Sequence, residues 1–77
     1  MSDKLFTLDM LREGESGRVI RLENKGALRR RLQDIGVING TVIKCVSDSP
    51  FGDPRAYLIR GAVIALRNND SKDIEIQ

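Results

Sequence analysis

The sequence predicts a mainly β domain of about five short strands, with one short α-helix after the first strand and a helical turn near the N-terminus. Three observations predict it. Short runs rich in β-branched residues are separated by clusters of Gly, Pro, Asn and Asp. A single segment carries a helical apolar period. The connections are too short for alternation of strands and crossover helices.

The elements follow in order. Thr7 to Leu11 reads as one helical turn, with Thr7 as N-cap and Leu8 and Leu11 on its inner face. The run Glu13-Gly14-Glu15-Ser16-Gly17 breaks into a turn, and Arg18 to Glu23 is a strand by its β-branched content. After a second break at Asn24-Lys25-Gly26, Ala27 to Ile35 is a helix. Leu28, Leu32 and Ile35 share one of its faces and Gly36 caps it in a left-handed conformation. Asn39-Gly40 is a turn, and Thr41 to Ser47 is a long strand. Asp48 to Pro54 is rich in turn formers, with Gly52 and Pro54 setting the angle into the next strand. Arg55 to Arg60 and Ala62 to Arg67 are short strands with Gly61 as a kink or bulge between them. Asn68 to Ser71 is a turn. Ile74 and Ile76 alternate with Asp73, Glu75 and Gln77 in a half-buried closing strand. Such a set closes into a small, partly open β-barrel of the SH3-like kind.

Composition narrows the function. With 77 residues the chain is one domain, 1–77, whose core leaves no room for a deep substrate cleft. There is no His and one Cys, so a zinc site of four Cys or His ligands and any His-based nucleophilic triad are excluded within one chain. No constellation supports an enzyme. One Cys cannot form an internal disulfide, which suits a reducing compartment. No apolar run is long enough to insert in a membrane, and the opening residues, with Asp3 and Asp9, lack a signal-peptide core. The expected location is the cytoplasm. Net charge is +2 and the aromatic residues are Phe6, Phe51 and Tyr57, so no nucleic-acid partner is expected. No cofactor is expected.

The candidate site residues each admit more than one reading. Arg29, Arg30 and Arg31 fan round the polar side of the helix, with Arg31 bordering the apolar stripe. They form a solvated face with an Arg30–Asp34 pair, an anionic docking face, or an arginine finger for a partner GTPase. Cys45 reads as a small buried residue; a metal ligand there would need partners, and carboxylates such as Asp48, Asp53 and Asp70 would hold a metal only weakly, so no metal site is expected. Phe51 at the tip of its loop folds back on the barrel or anchors a partner. Val42, Ile43, Cys45 and Val46, then Tyr57 to Ile59, then Ala62 to Leu66, put apolar groups on both faces of their strands. One short helix cannot cover that much sheet. The surplus points to an interaction surface, unless Met10, Leu11 and the loops cover it. Partner-binding candidates are therefore Arg29, Arg30, Arg31, Phe51, Tyr57, Met10 and Leu11. Gly14, Gly17, Gly36, Gly40, Gly52, Pro54 and Gly61 are expected as turns and caps.

Several strings together resemble the FeoA family, the small cytosolic component of bacterial ferrous iron uptake. They are Leu8, Leu11, Gly14 and Gly17; the block from Arg30 to Thr41; the loop from Ser49 to Pro54; Ile59-Arg60-Gly61 with Ala65-Leu66-Arg67; and Ile74-Glu75-Ile76. The block departs from the family at Asn39, where Pro usually stands. The same domain type is found at the C-terminus of metal-dependent repressors of the diphtheria-toxin-repressor (DtxR) kind, whose helix-turn-helix this chain lacks. The resemblance implies an SH3-like barrel. It implies as partner a FeoB-type membrane permease with a GTP-binding domain, which the chain would dock on and regulate. It carries a family-level label of transition metal binding, with Fe2+ as the transported ion. An alternative is an SH3-like interaction module of a metal-dependent regulatory or nucleic-acid-associated system. Weak self-association is a further expectation.

Overall fold

The computed structural model describes residues 6–47 and 52–77. It is mainly β, as the sequence predicts. The elements are β1 (Phe6–Thr7), a 3-10 turn (Leu8–Met10), β2 (Ser16–Leu22), α1 (Gly26–Asp34), β3 (Val42–Ser47), β4 (Arg55–Ile59), β5 (Ala62–Leu66), α2 (Asn68–Ser71) and β6 (Ile74–Ile76). The six strands form one antiparallel sheet in the order β1-β6-β2-β3-β4-β5.

The core joins inward residues of every longer strand: Val19 and Leu22 on β2, Ile43 and Cys45 on β3, Tyr57 and Ile59 on β4, Leu66 on β5, and Ile74 and Ile76 on β6. Leu8, Leu11, Leu32 and Val37 complete it. Leu28 and Ile35 pack against the core from α1, which gives the helical period its physical meaning. The helix ends at Asp34 with Ile35 as its C-cap, and Gly36 follows at φ +106°. Gly36 N–H donates to Gln33 O at 3.0 Å and Val37 N–H to Leu32 O at 2.9 Å. That is a Schellman cap, closed by the buried Leu32 and Val37. A Cβ at Gly36 would also lie 2.1 Å from Cδ of Arg60.

Several local expectations are corrected. Gly17 is not a turn residue: it lies in β2 opposite Ile43, and a Cβ there would stand 2.5 Å from Cδ1 of Ile76. Gly61 is not a kink. Arg60 (φ +49°) and Gly61 (φ +85°) form the two-residue turn of a β4–β5 hairpin, with Ile59 opposite Ala62. Positive φ at both positions matches the twist of the flanking strands. Asn68 to Ser71 is a helical turn whose first N–H is capped from a distance, Asn68 N donating to Asp53 Oδ1 at 2.9 Å. The Thr7 hydroxyl does not cap the turn that follows but donates to the Asp9 carboxylate. Helix α1 begins at Gly26, one residue before the expected start. The short β1 was not expected.

Arg55 ties the N-terminal turn to the loop beneath it. Its Nη1 donates to the carbonyls of Asp9 and of Leu11 (2.9 Å for the latter), and its Nε donates to Gly52 O at 3.2 Å. Asn68 Nδ2 reaches the same Gly52 carbonyl at 2.7 Å.

Two residues are more buried than their sequence context suggests. Tyr57 is 0% exposed, so it is a core residue and no partner can touch it; its hydroxyl lies 3.5 Å from Leu8 O. Burial pushes its phenol above the ordinary value. Glu75, expected on the wet side of a half-buried strand, has a side chain 10% exposed because β6 lies between β1 and β2. Arg21 Nη2 donates to its carboxylate at 2.9 Å, and this bond holds the Glu75 pKa below the ordinary carboxylate value.

Three outcomes test these assignments. Gly36→Val is expected to cost about 1–3 kcal/mol, mostly from backbone strain. The loss should therefore persist in an Arg60→Ala background, and an unchanged melting temperature would refute the cap. Tyr57→Ala is expected to cost about 3–5 kcal/mol in urea unfolding, as large-to-small core changes do. A loss below about 1 kcal/mol would return Tyr57 to the surface. The Glu75 carboxylate titrates lower in the folded chain than in the unfolded one. Its stabilisation is thus present above the ordinary pKa of about 4.3 and lost as pH falls through the folded value. Melting curves of wild type and Glu75→Gln should converge over that acid range; parallel pH profiles would exclude the pair as the cause.

Candidate interaction surface

The fold sorts the predicted candidates by what their side chains already hold. Arg29 turns back on its own chain: Nη1 donates to Leu22 O at 2.6 Å and to Asn24 O at 3.4 Å, fastening the end of β2 to the start of α1. Arg30 and Arg31 stay exposed, and among the described residues no ion pair joins Arg30 to Asp34. Leu11 belongs to the core, whereas its neighbour Met10 is 54% exposed. Phe51 lies outside the described residues. Gly14, Gly40 and Gly52 all take positive φ, and the Asp53–Pro54 bond is cis.

Among the described residues, Ile38 is exposed and other apolar groups gather in three places. At the N-terminal end a groove of about 610 Å³ runs between Phe6, Met10, Leu11 and Ile76, with Arg12 and Glu15 on its border. Phe6 and Met10 put roughly half of their surface into water here. On the outer side of the sheet, Val42, Leu58 and Val63 are exposed, with Leu58 opposite Val63 across β4 and β5. The third place is a cleft of about 270 Å³ between α1 and β5. Leu28, Leu32, Ile35, Ile64 and Leu66 line it together with Arg31, Arg67 and Asp70.

Phe6, Arg67 and the pairing of Leu58 with Val63 were not singled out from the sequence. The signal for the strand residues was present in the uncharged run Ala62 to Leu66. Phe6 carried no signal because a two-residue strand has no readable period.

Among the described residues no three Asp, Glu, Cys or His side chains group as a metal site. Cys45 is buried in the core. No helix of the described residues is long and apolar enough to cross a membrane.

Comparison with known proteins places this geometry. A Fe(2+) transport protein A/Fe(2+) transporter FeoB fusion protein of Porphyromonas gingivalis is 31% identical over 70 residues, which is 91% of this chain and 8% of that protein. Iron(II) transport protein A of Clostridium thermocellum is 33% identical and superposes with a TM-score of 0.88 over 94% of this chain and 44% of its own. The FeoA of Stenotrophomonas maltophilia, solved in complex with zinc and described as a prokaryotic SH3 domain protein, is 25% identical, with a TM-score of 0.83 over 94% of this chain and 89% of its own. The SH3-like expectation is met by this likeness. The family model of the FeoA domain matches residues 6–77, the six-stranded sheet from its first strand to its last. The chain belongs to the FeoA family.

Proposed function

We propose that this chain is a cytoplasmic accessory module of ferrous iron uptake that docks on a FeoB-type permease and regulates it at its GTP-binding part. The observation that carries the reading is the fused relative, in which a segment 31% identical to this chain shares one polypeptide with the transporter FeoB. A tether raises the effective concentration of two modules for each other, an advantage only to modules that act in contact. This chain spans 8% of the length of that fused protein. Fe2+ is the cargo of the pathway.

Docking would draw on side chains that the fold leaves in water. Met10 offers an apolar contact, and Arg30 and Arg31 offer guanidinium groups to carboxylates or phosphates. Phe51, which lies outside the described residues, remains a candidate in the proposal. Regulation would follow from contacts made in one nucleotide state of the permease and lost in the other. The chain then acts as a binding partner and not as an enzyme.

An NMR titration of the isotope-labelled chain with the soluble GTP-binding domain of its permease tests this. The expected result is a set of amide shifts on α1 and around Met10, larger in one nucleotide state, with affinity reduced several-fold by Arg30→Glu with Arg31→Glu. Unmoved spectra at millimolar domain, in both nucleotide states, would overturn docking at that domain.

A further inference from the structure

The two edges of the sheet are unlike. β1 has two residues, whereas β5 has five, Ala62–Leu66, and among the described residues pairs with β4 alone. Its far side carries backbone N–H and C=O groups with no strand beside it among the described residues. The usual devices that blunt an edge, a lysine, a proline or an inward-pointing charge, are missing from these five residues. Val63 is 64% exposed on the outer side of the strand.

A cleft of about 270 Å³ opens between helix α1 and this strand. The cleft between them has an apolar floor of Leu28, Ile35 and Ile64 and a basic border of Arg31 and Arg67. Both arginines are exposed, and neither takes part in an ion pair among the described residues. Asp70 also lines the cleft and pairs with neither arginine.

We propose that the β5 edge is a docking site for an extended segment of a partner protein, added to the sheet as a further strand, with apolar side chains over the cleft and Asp or Glu residues flanking them. The backbone edge supplies hydrogen bonds to any strand, and the cleft and its two guanidiniums select the side chains. A five-residue edge spans roughly 17 Å at about 3.4 Å per residue, so the matching core of the segment is about five residues long. The charges argue for a foreign strand over a second copy. Antiparallel self-pairing centred on Ile64 would bring Arg67 of one copy beside Arg60 and Gly61 of the other, a like-charge approach at both ends. A segment with carboxylates at its ends meets the same arginines as counterions. The inference goes beyond docking on a permease; only the naming of the permease as the source of the segment would rest on that reading.

The test titrates the full labelled chain with a synthetic peptide of alternating valine and threonine flanked by glutamates. Its controls are the same peptide flanked by lysines and the same peptide N-methylated at alternate amides. The expected result is cross-strand contacts to Ala62–Leu66 and slowed amide exchange on β5. Binding should weaken about tenfold or more for both control peptides and for Arg31→Glu with Arg67→Glu, two exposed positions whose change leaves the core intact. Equal binding of the acidic and basic peptides overturns the inference, as does indifference to N-methylation or the absence of binding at millimolar peptide. Shifts of β5 that follow protein concentration alone give the edge to a second copy and also overturn it. A parallel titration with the permease's GTP-binding domain keeps the two readings apart. Binding with β5 unmoved removes the permease from this edge, and failure to bind removes docking while the peptide still decides the edge.

Discussion

The fold depends on one strand meeting two neighbours. β2 pairs with β3 through Ser16, Gly17 and Arg18, and with β6 through Val19, Arg21 and Leu22, with a shift of register between Val19 and Arg21. The first half of β2 thus meets β3 and the second half β6, and the register shift between them bends the strand. Gly17 supplies the room: with no side chain there, Ile76 lies directly over the backbone. Around the bend the backbone is saturated, Arg18 and Gln77 exchanging two hydrogen bonds of 2.9 Å while Val19 donates to Thr41 O and accepts from Gly40 N. The core forms inside this turn of the sheet, and every exposed surface is defined by what the turn leaves outside.

Most of the fold was legible in the sequence because its elements carry strong local signals. The apolar period of Leu28, Leu32 and Ile35, with Gly36 after it, marks a helix and its cap within nine residues. Features that depend on distant partners were not legible. The turn at Asn68 is helical because Asp53 caps it from fifteen positions away. Glu75 is buried because β1 covers β6, and β1 has only two residues.

The candidate surface was legible in kind and misread in detail. Apolar residues on both faces of three strands foretold exposed apolar surface, and it is found at Val42, Leu58 and Val63. Which side of each strand faces water is a register question, and Tyr57 fell on the inner side. The arginine run looked uniform, yet the helix separates its members by 100° steps: Arg29 reaches back to Leu22 and Asn24, and Arg31 borders the cleft beside β5.

The first and last strands are partners: Phe6 stands opposite Ile76 and Thr7 opposite Glu75. Chain entry and chain exit therefore lie side by side at one margin of the domain. A domain built this way can be spliced onto the end of another protein, or into one of its loops, without prising apart the host, because the loop it replaces has nearly touching ends. The entropic cost of such an insertion is small, and so is the mechanical strain on either body. A family with this arrangement can pass between free-standing and tethered forms by changes at its termini alone.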